Sequence, residues 1–360
     1  MNNKEIEKWG IDKDVLEKAN ENTDLYIGRV ISQHKDLYEV VCDNKSFKAE
    51  VSGKFSFDLE KTTEYPAVGD FILLDRDSDE TGNAIIHSVL PRKSAFIRKS
   101  AGTSGDEQIV SSNIDTIFIC MSLNNDFNLR RLERYLSISW DSGAVPVIVL
   151  TKADLCLDLA GRLEEVGTIA FGVDVVVTSS KERNYEEIEK YIIKGKTIAF
   201  IGSSGVGKSS LINCILGKEE FETKGLRNDD KGKHTTTSRN LRMLENGSML
   251  IDTPGMRELG IESADLTKTF ADIDELSRNC KFSDCTHTNE PGCAVKEAVE
   301  SGKITEERLS SYLKLKKEAK YEGLNSKQIE TEKLNRMFSG VGGMKNFRKQ
   351  MKAKNKLKNR

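Results

Sequence analysis

The chain lacks any stretch of about eighteen consecutive apolar residues, the length a helix needs to cross a bilayer, so no membrane span is expected. Its opening residues, MNNKEIEKWGIDKDVLEKANENTD, lack the apolar core of a secretory signal and read as a polar helix. Both absences point to a protein that stays in the cytoplasm, with no membrane among its partners. A disulfide framework is not expected either, because seven cysteines in a cytosolic chain stay reduced. Cys42, Cys120, Cys156 and Cys214 are scattered, mostly in apolar runs, as small core side chains would be. The other three are clustered. Acidic residues are missing altogether from residues 341–360, which carry eight Lys or Arg. Such a block repels itself, and is either a solvated tail or a contact for an anionic polymer. No internal repeat stands out.

What remains is an ordinary globular composition, 37% apolar and 31% charged, in 360 residues that can hold two or three domains. The net charge of −2 says little, since the charge is unevenly spread. Residues 24–97 contain short strand-like runs at 26–31, 37–42, 47–51, 71–74 and 84–89, separated by turns bearing Asp, Asn and Gly. Five short strands suit a small closed β-barrel such as the OB-fold, though the pattern does not separate it from an SH3-like barrel. Residues 98–261 alternate near-continuous apolar runs (114–120, 145–150, 173–177, 197–201, 249–251) with helical patterns. A parallel sheet covered by helices on both faces requires such runs. Residues 262–340 hold a Cys/His cluster and charged helical sequence, with Thr305 placed to cap a helix whose first turn carries Glu306 and Glu307. Residues 1–23 form an N-terminal extension and 341–360 the basic tail. The expected fold is therefore multidomain: a β-barrel, a central α/β domain and a mainly helical C-terminal domain.

Gly202-Ser203-Ser204-Gly205-Val206-Gly207-Lys208-Ser209 matches the phosphate-binding loop pattern, preceded by a strand and followed by a helix opening at Ser210. Its glycines let backbone N–H groups and the helix N-terminus face an anion. Lys208 is expected to reach the terminal phosphates of a nucleoside triphosphate, and Ser209 to ligate magnesium. Thr151-Lys152-Ala153-Asp154, at the end of a buried strand, resembles the Asn-Lys-x-Asp guanine motif with Thr in place of Asn. Asp154 can accept from the ring N–H and the exocyclic amine of guanine. Adenine offers neither donor on that edge, and such bonds discriminate by roughly ten-thousand-fold. The stem of Lys152 would lie over the base. Thr151 has no amide, which predicts a weaker supporting bond and modest affinity. Val177-Thr178-Ser179-Ser180-Lys181 likewise ends a strand in small polar residues, where backbone groups would meet the guanine carbonyl.

Asp252-Thr253-Pro254-Gly255 fits the Asp-x-x-Gly switch, with Asp252 on magnesium and the Gly255 N–H on the terminal phosphate. Met256 follows, where many GTPases have a water-orienting Gln, so another group must act. In the segment Lys231-Gly232-Lys233-His234-Thr235-Thr236-Thr237, Thr236 is the expected magnesium ligand. His234 is the expected group to orient or deprotonate water. These elements come in an unusual order: base recognition precedes the phosphate loop, and the switches follow it. A circularly permuted GTPase has this order. Finally, Cys280, Cys285, His287 and Cys293, spaced C-x4-C-x-H-x5-C, suit one tetrahedral structural zinc with no open position.

Taken together, the chain resembles the RsgA/YjeQ family of small-ribosomal-subunit-dependent GTPases. The likeness is carried by Gly28-Arg29-Val30, the permuted order, Gly232-x-His234-Thr-Thr-Thr, Asp284-Cys285-x-His287 and Glu290-Pro291-Gly292-Cys293. It implies GTP turnover stimulated by the small ribosomal subunit during late assembly, with magnesium, and an OB barrel and zinc domain gripping ribosomal RNA. A monomer is expected. The alternative is a nucleotide-switched RNA-binding module without a significant catalytic role.

Overall fold

The computed structural model describes residues 4–21, 24–99, 107–179, 181, 185–217, 240–252 and 269–320. Ser180, His234, Thr236, Gly255 and the basic tail at 341–360 lie outside the described residues.

Five strands close the barrel: β1 (Tyr26–His34), β2 (Leu37–Cys42), β3 (Lys45–Val51), β4 (Phe71–Leu74) and β5 (Ala84–Val89). Asp43 and Asn44 join β2 to β3 in a two-residue turn with φ of 46° and 64°. A tight hairpin takes this left-handed conformation because its twist matches that of the strands, and short polar side chains tolerate it. The strands pair in the order β1-β2-β3-β5-β4, and β4 returns to β1 at Arg29↔Phe71. Only β3 and β5 run parallel, at Ala49↔Ala84. That parallel closure makes the barrel an OB-fold, which the strand pattern alone left open. Val30, Val40, Ile72, Leu74 and Ile86 fill its interior.

The N-terminal extension forms two short helices, Lys4–Glu7 and Lys13–Asn20, where one polar helix was expected. The break falls at Gly10 (φ 78°), where a Cβ would lie 2.1 Å from the Gly195 carbonyl oxygen. Ile6, Ile11 and Ala19 are buried against Ile27, Phe71 and Leu73 on the outside of the barrel.

After the hairpin β6 (Ala95–Lys99) and β7 (Glu107–Ser112), the chain enters the α/β sheet. The expected boundary at 97/98 falls inside β6. The sheet strands are β8 (Thr116–Ser122), β9 (Val145–Thr151), β10 (Asp174–Val177), β11 (Thr197–Ile201), β12 (Asn240–Met243) and β13 (Met249–Asp252). Their order is β10-β9-β8-β11-β13-β12, all parallel except β12. A bridge at Ser32↔Asn240 joins β12 to β1, so barrel and α/β strands form one eleven-stranded sheet.

Arg29 is fully buried where the barrel meets this sheet. It donates to the carbonyl of Gly69 (3.1 Å), the hydroxyl of Thr197 (2.9 Å) and the sulfur of Met249 (2.8 Å), and also to the carbonyl of Trp9. Burial lowers its pKa to about 10, so it remains charged at neutral pH. Thr197 and Met249 begin β11 and β13. Arg29 therefore fastens the barrel at the amino ends of these strands, while the Ser32↔Asn240 bridge lies beside Asp252 at the carboxyl end of β13.

The C-terminal helices are Ala271–Ser277, Ala294–Glu300 and Glu306–Lys320. Thr305 caps the last of these as expected, its hydroxyl accepting the Arg308 N–H at 3.2 Å. Arg308 then reaches helix Leu129–Ser142 and donates to Glu133 (2.8 Å), a side chain with no solvent exposure. It also forks onto Asp272 at 2.7 and 2.8 Å. Ser311 and Arg130 complete the shell of Glu133. Arg308→Ala takes from buried Glu133 one of the cations paired with it, leaving Arg130, and takes from Asp272 its two-pronged partner, so it should lower unfolding stability by about 3 kcal/mol. Urea denaturation checks this, and a loss below about 1 kcal/mol would exclude the network as the fastening of the C-terminal helices.

Candidate functional site

Because β8, β9, β10, β11 and β13 are parallel, their carboxyl ends share one edge of the sheet, where open α/β folds bind ligands. The glycine loop leaves β11 there. Gly202, Gly205 and Gly207 have φ of 147°, 73° and 104°. At Gly202 a Cβ would sit 2.5 Å from the Cys120 carbonyl oxygen, so only glycine fits. The helix Lys208–Leu216 follows, seated by buried Val206, Leu211 and Ile212, with Ile215 and Leu216 partly buried against the same cluster. Lys208 Nζ donates to the carbonyls of Gly202 (2.6 Å) and Ser203 (2.7 Å), which sets its ammonium across the mouth of the loop. Ser209 and Ser210 occupy the first helical turn. Asp252 ends β13, next to β11.

The segment after β9 meets this loop directly. The Thr151 hydroxyl donates to the Val206 carbonyl at 2.5 Å. Lys152 Nζ donates to the Gly205 carbonyl at 2.6 Å. Lys152 is left-handed (φ 58°, ψ 41°). That conformation costs a non-glycine residue about 1 kcal/mol and is held here by the surrounding contacts, including the Ala153 N–H on the Thr178 carbonyl at 3.1 Å. The buried Ser179 hydroxyl donates to Asp154 Oδ1 at 2.9 Å and orients that carboxylate. Thr151, Lys152, Asp154, Ser179 and the loop from Gly202 to Ser209 therefore form one constellation. Thr151 needs no amide to reach the loop, since its hydroxyl makes the bond.

Cys280, Cys285, His287 and Cys293 bring their ligand atoms within 4.8 Å of one another. Cys280 Sγ lies 3.9 Å from Cys293 Sγ and 3.7 Å from His287 Nδ1, and Cys293 Sγ lies 3.4 Å from that nitrogen. A tetrahedral zinc site with ordinary bond lengths has S···S edges of about 3.8 Å and S···N edges of about 3.6 Å. The four residues thus fit a tetrahedral metal ion. Burial opposes ionisation of Cys280, but the backbone N–H groups of Val295 and Ala294 and the Cys285 and Cys293 thiols bring its pKa below the ordinary value.

Glu290, visible beforehand only as part of a motif, locks this loop. It accepts from the backbone N–H groups of Thr286 (3.1 Å), Thr288 (3.0 Å) and Asn289 (3.1 Å), and from the Thr286 hydroxyl. The Thr286 hydroxyl foremost, then the backbone donors, bring its pKa down to about 2. Asp126 also touches the glycine loop, and sequence reasoning missed it because the contact spans 77 residues. Cys42 and Cys120 are buried as expected, whereas Cys156 is partly exposed and Cys214 exposed.

The geometry defines a P-loop nucleotide-binding domain whose base-side segments precede its phosphate loop, set between an OB barrel and a Cys3His module. A family model described as RsgA GTPase matches residues 89–262. An ABC transporter model matches residues 185–340, a stretch that includes the same glycine loop. The chain is 50% identical over 340 residues to the small ribosomal subunit biogenesis GTPase RsgA 2 of Lactiplantibacillus plantarum, covering 94% of this chain and 96% of the relative. It is 42% identical over 355 residues to RsgA of Methanosarcina acetivorans, covering 96% and 94%. The crystal structure of YjeQ from Thermotoga maritima aligns with a TM-score of 0.61 at 29% identity, covering 82% of this chain and 98% of that one. YloQ, described as a circularly permuted GTPase, aligns at 0.58 and 26%, covering 82% and 95%. The chain belongs to the RsgA GTPase family, and is a circularly permuted enzyme that hydrolyses GTP with magnesium.

Proposed function

We propose that this GTPase acts in late assembly of the small ribosomal subunit, in the cytoplasm, as a monomer whose turnover the subunit stimulates. The nucleotide half of this reading is carried by one observation: Thr151 and Lys152 grip the phosphate loop through Val206 and Gly205. The permuted order therefore still assembles a single pocket. The assembly half rests on the whole-length likeness to relatives named for small-subunit biogenesis. Asp154 reads guanine, Lys152 covers the base, and Ser179 and Ser180 face its carbonyl. The backbone from Gly202 to Ser210 wraps the phosphates, and Lys208 neutralises the terminal ones. Bound magnesium, held by Ser209, Thr236 and Asp252, would supply further charge neutralisation there. The Gly255 N–H senses the terminal phosphate. His234 orients or deprotonates the attacking water, in place of the missing Gln.

The domain division follows the same reading: an extension at 1–23, the barrel at 24–97, the GTPase at 98–261, the metal module at 262–340 and the tail at 341–360. The barrel and the metal module bind ribosomal RNA, and the Cys3His set holds one structural zinc. GTP turnover measured with and without purified small subunits tests the proposal. Subunits should raise the rate, and His234→Ala should lower the stimulated kcat by about a hundred-fold. A rate indifferent to subunits would overturn the assembly reading. An unchanged rate in the variant would remove the role given to His234.

A further inference from the structure

We propose that Asp126 and Arg131 form a positioning pair for the phosphate loop: Asp126 holds Ser203 in place, and Ser203 in turn seats Lys208. This rests on the reading of residues 202–209 as the GTP phosphate site. Ser203 is held at both ends. Its carbonyl accepts Lys208 Nζ at 2.7 Å, and its hydroxyl donates to Asp126 Oδ2 at 2.8 Å. Moving that hydroxyl turns the peptide that carries the carbonyl, and displaces the ammonium the phosphates must meet.

Asp126 is itself held on a rigid support. It lies between β8 and the helix Leu129–Ser142, where the Asn124 side chain accepts its backbone N–H at 3.1 Å and the Ser122 hydroxyl at 2.8 Å. Arg131, in the first turn of the helix, forks onto both carboxylate oxygens, Nη1 to Oδ2 at 2.9 Å and Nη2 to Oδ1 at 3.1 Å. Planar bidentate pairing fixes a carboxylate's direction as well as its distance. The guanidinium also offsets a negative charge that would otherwise stand beside a polyphosphate site.

The helix does not depend on Asp126 for its cap, since Asn128 accepts the Arg131 N–H at 2.9 Å. Nor is the pair a source of stability. The side chains are 43% and 28% exposed, and ion pairs so exposed contribute little to folding. Its consequence is geometric, and shows in nucleotide affinity rather than in melting.

A double-mutant cycle on the full chain tests this, reading the dissociation constant of a fluorescent GTP analogue together with Tm. Ser203→Ala and Asp126→Ala should each weaken binding by about five-fold, the scale of one charge-assisted hydrogen bond at a partly exposed site. The double variant should be no weaker than the weaker single, because both remove one contact. Asp126→Asn keeps an oxygen for the Ser203 hydroxyl and should recover most of the affinity, with Tm nearly constant throughout. Additive losses, or Asp126→Asn as weak as Asp126→Ala, would overturn the pair. Lys208→Ala keeps the two readings distinct. If it binds GTP like the parent chain, the phosphate-site reading fails first; if it loses binding while the cycle is additive, only this proposal fails.

Discussion

Asp154→Asn should turn the base preference from guanine to xanthine, with GTP binding weakened by something on the order of a thousand- to ten-thousand-fold. A carboxylate can only accept, and guanine presents two donors on the facing edge, its ring N–H and its 2-amine. An Asn side chain keeps one acceptor and replaces the other with a donor. Xanthine carries a carbonyl where guanine carries the amine, so the altered pair matches again. The structure makes this a local exchange. The buried Ser179 hydroxyl fixes Asp154 Oδ1 at 2.9 Å, and the segments that follow the strands ending at Thr151 and Val177 are held together by the Ala153 N–H bond to the Thr178 carbonyl. Thr151 and Lys152 keep their own bonds to the phosphate loop in the variant. Dissociation constants for GDP and xanthosine diphosphate provide the measurement. If the variant still binds GDP within ten-fold of the parent, Asp154 does not read the base.

The parts of this site that were legible in sequence share a physical cause. Strands β9 and β11 are buried on both faces, so they appear as near-unbroken apolar runs, and each delivers its motif where the run stops. The glycine loop and the Cys/His spacing are short-range patterns set by backbone geometry and coordination. Edge elements were less visible. Asn240–Met243 has one buried residue, Leu241, and is a strand only because β13 pairs with it and Ser32 bridges to it. The hairpin of Ala95–Lys99 and Glu107–Ser112 mixes apolar and polar residues, and sequence reasoning passed over it. Gly10 breaks the N-terminal helix beside Gly195, a neighbour far along the chain. Arg308 and Glu133, separated by 175 residues, read as ordinary surface charges until the fold buries them together. Long-range polar contacts of this kind leave no periodicity to detect.

With the proposed zinc held by Cys280, Cys285, His287 and Cys293, loss of that ion should disturb the C-terminal module more than any other single change. Between Cys280 and Cys293 the chain has little apolar material of its own: Phe282 is 41% exposed, and the loop is shaped by Glu290 and by the Lys281 N–H on the Gly292 carbonyl at 3.0 Å. Four ligands on one ion would then be the main link between the start of this loop and helix Ala294–Glu300. Structural zinc in isolated fingers contributes roughly 10–16 kcal/mol at neutral pH. Part of the module holds without it, because Val295, Ile304, Leu309 and Tyr312 are buried in the main core cluster with Phe270. Cys293→Ser should therefore abolish the one equivalent of bound metal and lower Tm by roughly 10 °C, the result of losing a few kcal/mol in a chain of this size. Proteolysis within 280–293 should accelerate, while the Arg308 fastening still holds the last helix to Glu133. Metal analysis, thermal melts and limited proteolysis of the intact chain read these outcomes separately. A variant that retains stoichiometric metal, or a parent chain whose melting is indifferent to chelation, would remove the ion from the account of how this module is held.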